Sequence, residues 1–131
     1  MYSFTARATA VEELTDLETF VVALYDDPES PEYWIEIQKP LEVDDQDREL
    51  GMDTYCLSLA DGRTHYGGIT AIQIQGDRLS IEIDAQAARV LDEDGFVIFF
   101  DIPLDQVDAV EDGLVTVFED EPSPPVITVN R

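Results

Sequence analysis

Residues 69–84, ITAIQIQGDRLSIEID, decide how this chain folds. Two runs of alternating apolar and polar residues are separated only by Gly76-Asp77. A two-residue loop with glycine first is typical of a type II′ turn between antiparallel strands. The resulting register places apolar pairs on one face and the other pairs opposite: Ile74–Leu79 and Ile72–Ile81, against Gln73–Ser80 and Ala71–Glu82. Both strands agree about which face is buried, so we predict a β-hairpin with a well-specified register.

Further strands are predicted on both sides of this hairpin. Alternation of apolar and polar residues predicts one strand over residues 4–10, and others over 33–38 and 54–59. The continuous apolar run 20–25 predicts a central strand that is buried on both faces, and the run 96–100 predicts another fully apolar strand. Val126–Val129 is a weaker candidate that follows a proline-rich segment.

Helices are predicted at three places. The acidic segment 40–51 can form a single helical turn that ends at Gly51. Asp84 is a candidate N-cap for a short helix over residues 85–91, and Asp105 is a candidate cap for a final helix. The apolar residues of that final helix fall on one stripe: Val107, Val110, Leu114, Val117 and Phe118. Gly113 should weaken it by about 1 kcal/mol relative to alanine.

The order of these elements predicts an α+β fold. Strands outnumber helices and most are joined by short turns, so we expect a mostly antiparallel β-sheet. The C-terminal amphipathic helix should pack on one face, where the small Ala6, Ala8 and Ala10 would allow a close approach, and a shorter second helix should accompany it. We expect a single α+β domain over residues 1–118. The C-terminal tail, 119–131, is then either loose or an added edge strand.

The acidity of the chain restricts its partners. Of 131 residues, 30 are acidic and seven basic, which gives a formal net charge of −23, and Lys39 is the only lysine. Such a surface attracts cationic partners and has no basic footprint for DNA, RNA or anionic membranes. The N-terminus lacks the pattern of a signal peptide, and no apolar run approaches the roughly 20 residues of a membrane span. The cytoplasm is therefore the expected location.

Residues that could carry chemistry are scarce. His65 is the only histidine and Cys56 the only cysteine, which leaves no candidate metal cluster, disulfide or cofactor site. A Cys56–His65 couple could act as nucleophile and base if the two residues were neighbours across a strand pair. A lone cysteine within a strand more often behaves as a small apolar side chain. We expect no catalytic residues.

A family resemblance adds a function to this interpretation. The segments Gln46-Asp47, Leu50-Gly51-Met52-Asp53-Thr54-Tyr55-Cys56, Asp61-Gly62 and Tyr66-Gly67-Gly68-Ile69 resemble the immunity protein 10 family of bacterial polymorphic toxin systems. The similarity extends over most of residues 4–118. The resemblance implies a cytoplasmic protein that binds and neutralises a cognate toxin without catalysis. A toxin with a basic surface would suit the acidic chain, and a nuclease is one such toxin.

Two loops and one aromatic residue are the predicted partner-binding sites. The first loop holds the densest acidic patch outside the helices and tail, with Asp44, Asp45, Asp47 and Glu49. The second contains Arg63, His65 and Tyr66 before the Gly67-Gly68 pair. Trp34 is either an exposed anchor or a residue packed beneath a helix or loop. The exposed face of the final helix is the next candidate, with Asp108, Glu111 and Asp112.

Two other functions remain open from the sequence. An acidic cytoplasmic housekeeping or ligand-binding domain adapted to high salt would also account for the surplus of carboxylates. A small enzyme that uses Cys56 and His65 is the more distant alternative.

Overall fold

The chain is built around two five-stranded β-sheets in a computed structural model that describes residues 1–51 and 53–131. The strands are β1 (Tyr2–Ala6), β2 (Ala8–Leu14), β3 (Thr19–Tyr25), β4 (Trp34–Pro40), β5 (Cys56–Leu59), β6 (Thr64–Tyr66), β7 (Ile69–Gln75), β8 (Arg78–Ile83), β9 (Phe96–Phe100) and β10 (Val126–Asn130). Sheet A has the order β1-β9-β8-β7-β10, and sheet B has the order β2-β3-β4-β5-β6. The described residues also form the helices α1 (Asp45–Glu49), α2 (Ala85–Leu91) and α3 (Leu104–Phe118). The predicted α+β class is confirmed, with two sheets in place of the expected one.

The predicted hairpin forms β7 and β8 of sheet A. Its register is the predicted one, with Ile74 opposite Leu79 and Ile72 opposite Ile81. Gly76 has a φ of +61°, the left-handed conformation that the first position of a II′ turn requires. Most other strand pairs are also antiparallel, whereas β1 pairs with β9 and β10 pairs with β7 in parallel. Each parallel pair joins strands that lie far apart in the sequence.

The predicted single strand over residues 4–10 is wrong. The chain leaves sheet A after Ala6 and enters sheet B at Ala8, so β1 and β2 belong to different sheets. Arg7 lies at the crossing, where its backbone N–H donates to the carbonyl of Tyr25 at 2.8 Å. The alternation of apolar and polar residues continues through the crossing, and therefore gives no sign of the change of partner.

One hydrophobic core joins the two sheets and α3. Val22, Ile37 and Leu57 lie opposite one another across sheet B, on the face that we call its inner face. The predicted apolar stripe of α3 is buried, and all of it except Val107 belongs to the same core as residues of sheet A. A Cβ on Gly113 would lie 2.7 Å from Val11 Cγ1 and 2.9 Å from Val22 Cγ2. Glycine therefore allows the close approach of α3 to the inner face of sheet B.

Two expectations about α3 need correction. Ala8 and Ala10 lie on the opposite side of β2 from Val11, because successive side chains alternate between the faces of a strand. The close approach therefore comes from Gly113 of the helix, not from small residues of the strand. The helix begins at Leu104 after Pro103, with no side-chain cap, so Asp105 lies inside its first turn. By contrast, Asp84 caps α2 as predicted and accepts from the N–H of Ala87 at 2.8 Å.

The C-terminal segment ends as an edge strand of sheet A. β10 pairs in parallel with β7 at the edge of the sheet. The tail is therefore an added edge strand, the second of the two alternatives left open by the sequence. Lys39 of β4 holds the C-terminal end of α3 and the residues after it against sheet B. Its Nζ donates to the carbonyl of Thr116 at 3.1 Å and to Asp120 at 2.9 Å. No helix in the described part of the chain is long and apolar enough to cross a membrane.

Candidate partner-binding surface

The acidic segment after β4 forms the short helix α1, as predicted. Asp44 and Asp47 make a capping box: Asp44 Oδ1 accepts from the Asp47 N–H at 2.8 Å, and Asp47 Oδ2 accepts from the Asp44 N–H at 3.2 Å. Asp45 pairs with Arg48 at 2.8 Å, and Gly51 follows the helix with a φ of +71°. The local sequence thus holds these carboxylates at defined positions.

Asp47 and Tyr66, predicted from two separate loops, line the same groove. The groove has a volume of about 240 Å³ and lies between α1 and the 3₁₀ turn Thr15–Leu17. Leu17, Glu18, Gln38 and Cys56 are among its other lining residues. The Tyr66 side chain is 38% exposed, and burial, followed by the nearby Cys56 and Asp47, raises the pKa of its phenol. The groove therefore combines carboxylates with an accessible aromatic ring.

The groove opens onto the side of sheet B that faces away from α3, here called the outer face. Strand pairing and alternation place on this face the following central residues: Val21, Ala23, Tyr25, Trp34, Glu36, Gln38, Cys56, Ser58, Thr64 and Tyr66. Trp34 is half-buried there, opposite Tyr25 of β3. The Tyr25 hydroxyl donates to Glu36 Oε1 at 3.4 Å, and burial together with Glu36 raises the pKa of Tyr25.

Arg63 and His65 lie away from the outer face. The Arg63 guanidinium donates to Asp61 at 2.7 Å, to Glu93 at 3.1 Å and to the carbonyl of Leu91. The hydrogen bond from Arg63 to Asp61 lowers the pKa of the Asp61 carboxyl.

His65 lies opposite Leu57 on the inner face, where its Nδ1 is 2.9 Å from the carbonyl oxygen of Gly67. Both side chains are thus engaged with other parts of the protein, and their predicted contact with a partner stays a prediction.

Cys56 and His65 do not form a couple. Cys56 lies opposite Tyr66, and the neighbouring pair is Leu57 with His65, so the thiol and the imidazole point to opposite faces of sheet B. Cys56 Sγ lies 2.9 Å from the hydroxyl oxygen of Thr64 instead. The geometry that a thiol nucleophile and its base require is therefore missing for these two residues.

The positive charges are held in ion pairs that leave the outer face acidic. Five of the seven basic residues have carboxylate partners: Arg7 with Asp101, Lys39 with Glu119 and Asp120, Arg48 with Asp45, Arg63 with Asp61 and Glu93, and Arg131 with Asp108 and Glu111. Within the described residues, no lysine or arginine belongs to the outer face of sheet B. Its charged members are Glu12 and Glu36, and Glu18 and Asp47 border the groove.

Sequence reasoning missed part of the groove. The alternation that starts at Trp34 is enough to place Gln38 on the same face, although no special signal marks that residue. Leu17 and Glu18 could not have been found in this way, because they follow β2 in the 3₁₀ turn and its cap. Glu18 adopts a φ of 52°, which a non-glycine residue rarely adopts.

Comparison with known proteins identifies a family. A family model described as Immunity protein 10 matches residues 5–109 of the 131-residue chain. No curated protein and no solved structure matches the chain significantly.

Proposed function

The chain belongs to the immunity protein 10 family, and from this membership we propose that it neutralises the cognate toxin of a polymorphic toxin system by binding it through an acidic surface. Neutralisation by binding needs a stable scaffold and a complementary surface, and no nucleophile. The separation of Cys56 from His65 agrees with a protein that performs no catalysis. We place this activity in the bacterial cytoplasm, where a toxin-producing cell must protect itself.

The charge distribution is the observation that supports an acidic interface. The net charge is −23, and most of the few basic residues are paired within the protein. A surface of one sign steers a partner of the opposite sign and can raise association rates to about 10⁸–10⁹ M⁻¹s⁻¹ at low salt. The proposed toxin is therefore basic, and a nuclease with a cationic nucleic-acid groove is one candidate.

The proposed contact residues cluster around α1 and the outer face of sheet B. Asp44, Asp45, Asp47 and Glu49 supply negative charge, and Tyr66 and Trp34 supply aromatic surface. Interfaces of high affinity combine central aromatic anchors with a complementary polar rim.

Protection of cells that produce the toxin tests this function. A candidate toxin domain, sought among the genes next to that of this chain, would be expressed in bacteria with and without the chain, and the complex would then be followed by stopped-flow association at several NaCl concentrations. We expect survival only when the chain is present, and an association rate that falls steeply as salt rises. A lack of both protection and binding would instead favour the salt-adapted housekeeping domain.

A further inference from the structure

We propose that the toxin docks on the outer face of sheet B and inserts a lysine or arginine side chain into the groove between α1 and the Thr15–Leu17 turn. This inference rests on the proposed function and adds to it the location of the interface and the chemistry of its central contact. The interface then extends from the rigid sheet over α1 and the turn, with the groove between them near its centre.

The outer face of sheet B lacks the cover that its inner face has. α3 packs against the inner side of β2, β3 and β4, and α2 approaches the inner side of β6. Val21 and Ala23 are nevertheless buried on the outer face, since longer residues flank them on the neighbouring strands, such as Gln38 and Glu36. Tyr25 and Trp34 are half-buried, and Tyr66 is 38% exposed. Aromatic area is thus available to a partner at the ends of β3 and β4 and on the edge strand β6.

The groove favours a cation over other occupants. Glu18 and Asp47 line it, and neither has an ion-pair partner among the described residues. The Gln38 side chain offers an amide oxygen, and an ammonium or guanidinium group over the Tyr66 ring would gain a cation–π contact. Arg48 of α1 pairs with the exposed Asp45 and therefore does not neutralise these two carboxylates.

The acidic face of α3 is less suited to the same partner. Asp108 and Glu111 already hold the Arg131 guanidinium, with 2.9 Å between Arg131 Nη2 and Glu111. A toxin cation that bound there would have to displace Arg131. In the groove it meets carboxylates with no such competitor, so the gain on binding is larger.

The size of the outer face agrees with a docking surface. Four strand spacings of about 4.8 Å make the face about 19 Å wide, and its length falls from about 23 Å at the seven-residue β2, β3 and β4 to about 10 Å at the three-residue β6. A stable complex of standard size buries about 800 Å² of each partner. The sheet supplies about half of this area, so α1 and the Thr15–Leu17 turn must belong to the interface as well.

Two glutamines provide a matched pair of variants. Gln38→Arg places a cation in the groove and thereby fills the site proposed for the toxin's own cation. Gln73→Arg makes the same change of charge on the solvent-exposed face of β7 in sheet A.

Tyr66→Ala and Tyr33→Ala form a second pair, since Tyr33 is 50% exposed but lies outside the groove. Asp47 is a poor choice for substitution, because its side chain also belongs to the capping box of α1.

The experiment measures the affinity of each variant for the toxin domain from which the wild-type chain protects cells, with thermal unfolding as the check on folding. We expect Gln38→Arg and Tyr66→Ala to weaken binding about 30-fold or more, the loss typical of a central contact, and the two controls to change it less than about threefold. If wild type and all variants bind alike, the docking surface lies elsewhere and the proposed function stands. If wild type itself does not bind, the proposed function fails and this inference fails with it. Should Gln38→Arg unfold, the tyrosine pair decides by the same criterion.

Discussion

Gly113→Ala tests how closely α3 approaches sheet B. In most helices this substitution is stabilising by about 1 kcal/mol, because glycine has a poor helix propensity. At this position the new methyl would lie 2.7 Å from Val11 Cγ1 and 2.9 Å from Val22 Cγ2. Both distances are about 1 Å shorter than an ordinary carbon–carbon contact. The two effects therefore oppose each other, and their magnitudes decide the sign.

The clash should exceed the gain in helix propensity. The two methyl groups belong to adjacent strands, so a small rotation of α3 that relieves one contact does not relieve the other. Overpacking of this kind costs about 1–3 kcal/mol. With about 1 kcal/mol subtracted for the better helix propensity of alanine, the expected net loss of folding stability is about 1 kcal/mol.

Urea denaturation measures this loss, and two further variants identify its cause. Ala109→Gly on the exposed side of α3 should cost about 1 kcal/mol and so calibrates helix propensity in the same helix. Val11→Ala removes the closest contact, so Gly113→Ala should be less harmful in that background than in wild type. If Gly113→Ala instead stabilises the protein as much as Ala109→Gly destabilises it, α3 does not lie as close to the sheet as described.

Two further predictions concern individual carboxylates. The backbone N–H groups of Ser30 and Glu29 donate to Asp27 at 2.9 and 2.8 Å and lower the pKa of its carboxyl. The stabilisation from Asp27 should therefore be complete at neutral pH and be lost as the pH falls through the lowered pKa. The difference in Tm between wild type and Asp27→Ala should shrink in acid for this reason. A difference in Tm that stays constant with pH would contradict this. Asp84→Ala removes the N-cap contact to Ala87 and should cost about 1 kcal/mol in urea denaturation, whereas Asp84→Asn should retain most of the stability. Equal losses in the two variants would show that the cap is not the cause.

Local signals predicted the elements whose partners are close in the sequence. The hairpin around Gly76 was predicted with its register, because a two-residue loop leaves the strands one pairing that buries Ile72, Ile74 and Ile81 together with Leu79. The cap at Asp84 and the apolar stripe of α3 were predicted for the same reason. The division between β1 and β2 at Arg7 was not predicted. It depends on the pairing of β1 with the distant β9 while β2 pairs with the neighbouring β3, and alternation describes a face but not a partner.

The candidate site was predicted in part. Composition identified the acidic helix α1, and the search for an accessible aromatic identified Tyr66, which the fold brings to the same groove as Asp47. His65 was grouped with Tyr66 because the two are adjacent in the sequence, and adjacency within a strand puts them on opposite faces. Glu18 was missed, since its place in the groove follows from the path of the chain between β2 and β3.

The acidity of the free protein lowers its folding stability, and binding of a cationic partner would reduce this loss. Carboxylates of one sign repel one another and destabilise the compact state, and added salt screens this repulsion. A salt-adapted housekeeping domain and a toxin-binding protein would therefore both become more stable as NaCl is raised, and salt-dependent stability does not distinguish them. The effect of a single added charge on the affinity for the toxin, compared at two positions, does distinguish them. Repulsion spread over the whole surface would be reduced equally by Gln38→Arg and Gln73→Arg, whereas only Gln38→Arg competes with a cation that enters the groove. Because the two variants have the same net charge, any difference in their affinity for the toxin measures where that cation binds.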